Sequence, residues 1–286
     1  MIAELKELWR YRELLLVMVQ RDLKIRYKNS ALGFVWSFLN PLLTVGVMTF
    51  VYTNFIFKDQ PNMGAYIMAA YLPFMFFQMC ILDSAQSVLV AMPLIKKIYF
   101  PREILPLASI FSNFINLLLA FVIFFAYLLI RYFTNPVTFP IKATAVWLPV
   151  LLLITWALAT GCSLIICALN TFYEDIKYIM GVLLYLLFFI CPVLYFSEQV
   201  ANSAINHSTN GLIYKIYNLN PIGYLCTAYK KILLDPITVT VRGSETAAAD
   251  PMRWDYLGVA AVTSFAVLIF GYYTFNRLKW RFVERP

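Results

Sequence analysis

The stretch that decides the fold runs from Arg21 to Phe57 and reads RDLKIRYKNSALGFVWSFLNPLLTVGVMTFVYTNFIF. Its first eight positions hold four basic residues and one acid. The 24 residues from Phe34 to Phe57 then contain no Asp, Glu, Lys, Arg or His, so that as a helix they are about 36 Å long. This length exceeds the hydrocarbon core of a bilayer, about 30 Å, and predicts a first, tilted membrane span. Because basic residues before an apolar span stay on the cytoplasmic side, the N-terminus is predicted to be inside.

The composition is typical of a polytopic membrane protein. Of the 286 residues, 62% are hydrophobic and 13% are charged, and the mean hydropathy is +0.72. That leaves too little polar surface to coat a soluble globule. The formal charge of +8 is divided among segments that alternate with apolar runs, so positive-inside bias explains it better than nucleic-acid binding. We expect no nucleic acid among the partners.

Six membrane spans are predicted in an all-α fold, which places both termini in the cytoplasm. The predicted spans are residues 34–57, 63–90, 105–130, 145–170, 178–197 and 256–276. With this threading the inner segments hold 15 Lys and Arg and the outer segments hold 8, which agrees with the positive-inside rule. Pro73 is expected to break or kink the second span, and Pro192 to interrupt the fifth.

Two segments outside the spans also have membrane character. Residues 1–30 carry apolar side chains at three-to-four spacing, which predicts an amphipathic helix in the headgroup region; a soluble helix packed on a partner fits the pattern equally well. Residues 198–255 form a long outer segment, in which Tyr217 to Asp235 is apolar enough to enter the membrane but too short to cross it. We predict short re-entrant helices there, covered by protein or a water-filled cavity. An amphipathic cap on the outer leaflet is the alternative.

Motifs for nucleotide binding and catalysis are absent from the sequence. The ten glycines include no pair five apart, as a Walker A loop requires. If ATP drives a process that involves this chain, ATP and Mg²⁺ would therefore bind to another chain. One histidine and few acids within the spans leave little for acid–base or nucleophilic catalysis. The five scattered cysteines indicate neither a disulfide framework nor a metal site. We therefore expect a chain that is not an enzyme and holds no cofactor of its own.

Candidate channel residues are one acid and several aromatic side chains within the spans. Asp83 follows the second apolar stretch, and an acid at the membrane is functional by default; it would face either a pore or the inner interface. Aromatic residues form 17% of the chain and would give an uncharged wall for sugar rings, although aromatics also anchor interfaces and fill bundle cores. The channel-lining candidates are Trp36, Phe38, Tyr52, Phe77, Asp83, Tyr185 and Phe188.

The inner loop PLIKKIYFPREILP, from Pro93 to Pro106, predicts a short helix over residues 93–104 with large apolar side chains exposed. An apolar patch that faces the cytoplasm indicates docking to a cytosolic partner. The alternative is anchoring of Tyr99 and Phe100 in the lipid interface, with the lysines snorkelling.

Three motifs resemble the permease subunits of ABC transporters that export bacterial polysaccharides, namely O-antigen, capsule and teichoic acid exporters. The motifs are RDLKIRYKNSALGFVWSFLNPLL, LIKKIYFPREILPLA and NPIGYLCTAYKKILL. The resemblance implies a coupling helix that inserts into a separate ATP-binding cassette ATPase, with a second contact at the next inner turn. The coupling residues would be Lys96, Lys97, Ile98, Tyr99, Phe100, Pro101, Arg102 and Glu103, and those of the second contact Tyr173, Glu174 and Asp175.

The same resemblance implies a complex of two permeases and two ATPases in the bacterial cytoplasmic membrane, with a channel between the permeases for a lipid-linked polysaccharide. Near the channel entrance, four bases would attract the phosphates of the lipid carrier, or would only set the topology; they are Arg21, Lys24, Arg26 and Lys28. The alternative functions are ATP-driven export of lipids, teichoic acid or drugs, and a membrane assembly scaffold without a pore.

Overall fold

The computed structural model describes residues 2–27, 36–56, 62–134, 142–236, 239–241, 245–247 and 250–283. The chain begins with α1 (Ile2–Arg10) and α2 (Arg12–Tyr27). Helix α3 (Trp36–Val51) follows and ends in a π-helical turn, Tyr52–Ile56. Glu4 in the first turn of α1 and Arg10 in its last turn complement the helix dipole.

Within the described ranges, four helical stretches are long and apolar enough to cross a membrane. They contain α4 (Met63–Val90), α6 (Ile104–Thr134), α7 (Leu148–Phe172, after a 3-10 turn at Ala143–Trp147) and α13 (Trp254–Leu278, followed by a 3-10 turn at Lys279–Val283). Between α4 and α6 lies the four-residue helix α5 (Met92–Ile95). These four stretches coincide with the predicted second, third, fourth and sixth spans, and their crossing of a membrane stays a prediction.

The fifth predicted span is shorter in the structure, and the first lies only partly within the described residues. Helix α8 (Ile176–Ile190) is apolar but has 15 residues, and it ends before the predicted limit at residue 197. Pro192 explains this end, since a proline cannot donate the helical hydrogen bond and holds the preceding Cys191 in extended conformation. The predicted first span, 34–57, begins and ends outside the described residues. A count of six crossings stays a prediction.

Helix α4 lies at the centre of the bundle. Every residue from Met63 to Phe74 is buried, and α4 packs against both α6 and α7. Pro73 lies inside α4 without breaking it, so the expectation of a break at this proline is wrong. Burial of both neighbouring turns stabilises the helix enough to offset the hydrogen bond that proline cannot donate.

Helices α7 and α13 form the most extensive contact in the bundle. Their backbones approach most closely where Gly161 faces Gly271: a Cβ on Gly161 would lie 2.6 Å from the backbone nitrogen of Leu268. Glycine is needed here because no larger residue permits that approach.

In the described residues between α8 and α13, the chain forms four helices and a hairpin. The helices are α9 (Ser197–Ala201), α10 (Ala204–Ser208), α11 (Leu212–Leu219) and α12 (Pro221–Leu233). Strand β1 (Val239–Val241) pairs antiparallel with β2 (Glu245–Ala247), with Val239 opposite Ala247. Helix α12 begins at Pro221, after the N-cap Asn220, and is buried among α4, α7 and α13. Such cover is what re-entrant backbone requires.

The bundle has two ends, because α4, α6, α7 and α13 alternate in direction. At the loop end, Arg131 donates to Asn62 (2.7 Å), Tyr66 to the Asp235 carbonyl (2.5 Å) and Thr144 to the Ile232 carbonyl (2.7 Å). At the opposite end, which we call the terminal end, α1, the 91–103 loop, the 173–175 turn and the last 3-10 turn meet. The alternating order matches the predicted threading.

Candidate functional site

The loop between α4 and α6 presents a small exposed tip at the terminal end. The chain is helical only over Met92–Ile95, and turns and extended backbone follow through Glu103, so the predicted helix over 93–104 is corrected to one helical turn. Ile98 is 58% exposed and Tyr99 is 70% exposed, while the side chains of Lys96 and Lys97 also face outward. These four residues, the coupling tip, are the part of the predicted coupling set that a partner can touch.

The rest of the predicted coupling set is buried or half-buried. Phe100 lies in an apolar cluster with Met18 of α2, Val88 of α4 and Phe282 of the last turn. The expectation that Phe100 is exposed is therefore wrong, because this ring fills the core at the terminal end. Pro101 is buried as well.

A buried ion network anchors the coupling tip to the end of the chain. Glu103, only 2% exposed, lies with its Oε1 2.5 Å from Lys279 Nζ, and Glu4 Oε1 is 3.5 Å from the same nitrogen. Arg102 donates to the backbone carbonyl of Lys279. Partial burial lowers the pKa of Arg102 from its ordinary value, and the neighbouring Glu103 carboxylate opposes that shift. Three parts of the chain, α1, the tip loop and the C-terminal turn, are thereby joined.

The predicted second contact, Tyr173 to Asp175, is an exposed turn between α7 and α8 at the same end. All three side chains face outward, with Tyr173 69% exposed. Asn170 fixes the turn: its side-chain oxygen accepts from the Lys177 amide (2.9 Å) and its nitrogen donates to the Ala85 carbonyl (2.8 Å). Tip and turn are both positioned by buried neighbours.

Of the four basic residues predicted to attract the lipid carrier, only some have side chains within the described part of the chain. Arg21 is paired with the adjacent Asp22 at 2.9 Å, and Lys24 is exposed on α2. Lys28 lies outside the described residues, as does the side chain of Arg26. Helix α2 packs against α6 through its buried Met18 and Val19. It also exposes Leu16, Val17 and Ile25, as a helix at a lipid interface would.

The channel candidates fall into two groups in this chain. Trp36 and Tyr185 are exposed, at 47% and 61%, and Tyr52 is half-buried. Phe77 is buried in the core, and Phe188 packs edge-on against Phe74 at 5.5 Å; the side chain of Phe38 lies outside the described part. Channel lining by the exposed members stays a prediction.

Asp83 lies within α4 rather than at its end, half-buried and close to α6. Asn113 donates to its Oδ2 at 2.9 Å. An acid inside an apolar helix is costly without such a partner. The pair joins two helices that both lead to the coupling tip.

Sequence reasoning missed a charged group at the loop end. Lys230 of α12 is buried and donates from Nζ to the carbonyls of Val193 (2.9 Å) and Tyr195 (2.8 Å). Lys231 pairs with the buried Glu198 at 3.0 Å. Burial lowers the pKa of Lys230 to about 7 because it disfavours the charged form. The signal was present in the sequence as two lysines inside an apolar segment.

Comparison with known proteins identifies the family. The profile described as ABC-2 type transporter matches residues 13–234. The chain belongs to the ABC-2 type transporter family. Among similar proteins, an O-antigen export system permease protein RfbA from Myxococcus xanthus is 31% identical over 235 residues, which cover 82% of this chain and 85% of that protein. A protein of the same name from Klebsiella pneumoniae is 24% identical over 275 residues, 95% of this chain and 94% of that protein.

The match of this ABC-2 chain to the family and to two export permeases confirms the resemblance that was inferred from its three motifs. The profile contains the coupling tip, the 173–175 turn and helix α12. The family is one of transporters, so the chain is a transport protein.

Proposed function

We propose that this chain is the channel-forming membrane subunit of an ATP-driven exporter that moves a lipid-linked, O-antigen-like polysaccharide across the bacterial cytoplasmic membrane. The observation that carries the proposal is the match, over 82% and 95% of the chain, to two permeases named for O-antigen export. The four long apolar helices support a membrane location, with the terminal end in the cytoplasm.

The energy for transport comes from a separate ATP-binding cassette subunit. The sequence has no glycine pair at Walker A spacing, so this chain needs a partner to hydrolyse ATP. The coupling tip supports docking of that partner, since Ile98 and Tyr99 are exposed apolar side chains beside two lysines. Tyr99 is held in place by its hydroxyl, 3.4 Å from Glu7 Oε1 on α1.

The working unit contains two copies of the chain with the channel between them. Support comes from α8, on which only Leu184 is buried while Tyr185 and Phe189 are more than half exposed. These two rings pack edge-on at 5.2 Å. They form an aromatic surface suited to a sliding glycan, or to the second copy.

The coupling step is tested by removing the exposed apolar tip without disturbing the core. The double variant Ile98→Ser/Tyr99→Ser should reduce ATP hydrolysis by the purified permease–ATPase complex at least about tenfold, since the exposed anchors of an interface carry most of its energy. The matched control is Leu212→Ser/Ile216→Ser on α11, which are 56% and 59% exposed at the loop end. The control should leave hydrolysis unchanged. Equal hydrolysis in both variants would count against docking at the tip.

Export itself is tested in cells by deletion of the gene. The deletion strain should lose surface polysaccharide and accumulate it in the cytoplasm, and the wild-type chain should restore export. A scaffold predicts no cytoplasmic accumulation. An exporter of lipids or drugs predicts intact surface polysaccharide with loss of resistance.

A further inference from the structure

The loop end contains a cavity that is not lined by the predicted coupling or channel residues. Its volume is about 320 Å³, within the range of sites for small molecules. It lies between the first turn of α4, the 3-10 turn before α7, the end of α12 and the start of α13. We call it the loop-end cavity.

The polar wall of the cavity is held rigidly by buried groups. Glu198, 3% exposed, receives hydrogen bonds from the Ser197 hydroxyl (3.0 Å) and the Asp250 amide (3.2 Å), and it pairs with Lys231. Lys230 is fixed by its two carbonyl acceptors. A wall of this kind is preorganised for a ligand, because binding does not require its charged groups to be reoriented.

Two further charged groups at the cavity have no partner within the part of the chain that the structure describes. They are Lys142, half-buried before α7, and Asp235, exposed after α12. The Asp235 carbonyl accepts from Tyr66, which positions the residue while leaving its carboxylate available. Within the described ranges, Lys142 and Asp235 are therefore available to the cavity as a cationic donor and an anionic acceptor.

The balance of charge selects the chemistry of the ligand. Among the residues that the structure describes, three lysines and three acids line the cavity: Lys142, Lys230, Lys231, Glu198, Asp235 and Asp250. Carboxylates on the wall repel an anion and lysines repel a cation. A hydroxyl group both donates and accepts, so a neutral polyhydroxy compound can bond to both kinds of group.

The apolar part of the wall has aromatic side chains that suit the same ligand. Tyr66, Phe196 and Trp254 line the cavity, and Tyr66 and Phe196 pack edge-on at 5.4 Å. Lys230 Nζ lies 4.9 Å from the centre of the Phe196 ring, so Trp254, which is 47% exposed, is the ring best placed to cover the C–H face of a sugar while the polar wall bonds to its hydroxyl groups. The cavity thus combines apolar walls with a few placed polar groups, as ligand sites do.

We infer that the loop-end cavity binds a neutral sugar unit of the exported chain as it emerges, a role that rests on the proposed function. Weak binding is expected, since a site along a transport path must release what it binds. The cavity lies inside each copy rather than between copies, so each permease would hold its own sugar.

The test uses the full permease with its ATPase in lipid nanodiscs. The probe is the neutral oligosaccharide repeat unit released from the surface polysaccharide of the same strain, followed by saturation-transfer NMR. The wild type should show saturable binding, and Lys142→Gln and Asp235→Asn should each weaken it about tenfold, as loss of a charge-assisted hydrogen bond does. The control Lys215→Gln, an exposed lysine of α11 away from the cavity, should bind as the wild type does.

Three results would overturn the assignment. They are absence of saturable binding to the wild type, equal binding by Lys142→Gln and Lys215→Gln, and preference of the wild type for a glucuronic acid oligosaccharide over the neutral one. The export assay separates this inference from the function on which it rests. Absence of binding with export intact overturns the cavity assignment alone. Failure of the wild-type chain to restore export in the deletion strain overturns the proposed function.

Discussion

At the residue scale, the contact between Gly161 and Gly271 leaves no space for a side chain. Gly271→Ala would place a Cβ against the backbone of Gly161, and overpacking of this kind costs about 1–3 kcal/mol. The control is Gly258→Ala on the same helix, where an added Cβ meets nothing within 4 Å and helix propensity improves by roughly 1 kcal/mol. We expect a lower melting temperature in detergent for the first variant only. Equal melting temperatures would contradict the close approach.

Lys230 predicts a pH dependence of stability. Its pKa in the folded chain is about 7 because burial disfavours the charge, whereas the pKa of a lysine in the unfolded chain is about 10.4. Between these values the unfolded chain binds more protons, so stability rises with pH. The melting temperature of the wild type minus that of Lys230→Met should therefore be more positive, or less negative, at about pH 9 than at about pH 7. A difference that does not change with pH would disprove the shift, and Lys215→Met serves as the exposed control.

At the element scale, the sequence located the inner loop but not its internal structure. Pro93 suits a first helical turn, and α5 ends at Ile95 after four residues. The residue before Pro101, Phe100, is held out of the helical conformation, so no helix continues through residue 100 to residue 104. The pattern IYF predicted an apolar patch, yet Phe100 turned inward. Its neighbours, Met18, Val88 and Phe282, are distant in sequence, and local spacing carries no information about such contacts.

The ion network that joins these elements gives the next prediction. Lys279→Met would leave Glu103 buried without its cation, and breaking a buried pair in this way costs about 3–5 kcal/mol. The double variant Glu103→Gln/Lys279→Met should recover part of that loss, as measured by unfolding in a double-mutant cycle. Glu4→Gln is the control, because Glu4 is 28% exposed and a solvent-exposed pair contributes less than about 1 kcal/mol. Additive losses would show that Glu103 and Lys279 do not interact.

At the scale of the whole molecule, composition was enough to predict a helical bundle with long apolar helices. It was not enough to show which faces the chain covers by itself. Helix α7 is buried along most of its length, while α8 buries Leu184 only, although both are apolar throughout. In a membrane, lipid and protein are similarly apolar neighbours, so hydrophobicity does not distinguish a face toward lipid from a face toward a second copy.

Orientation is the last prediction, and single cysteines test it. Lys97→Cys at the coupling tip and Lys215→Cys on α11 are both exposed, at opposite ends of the bundle. Background labelling should be low, because Cys80, Cys167, Cys191 and Cys226 are buried and Cys162 is half-buried within α7. Burial also raises the pKa of Cys226 to about 12, which slows its reaction.

A membrane-impermeant maleimide added to intact spheroplasts should label Lys215→Cys at once and Lys97→Cys only after lysis. That result follows from the basic residues at the terminal end, which the insertion machinery retains in the cytoplasm. Labelling of Lys97→Cys in intact spheroplasts would place the tip outside, where no ATPase can reach it, and the coupling role of Ile98 and Tyr99 would fail together with the orientation.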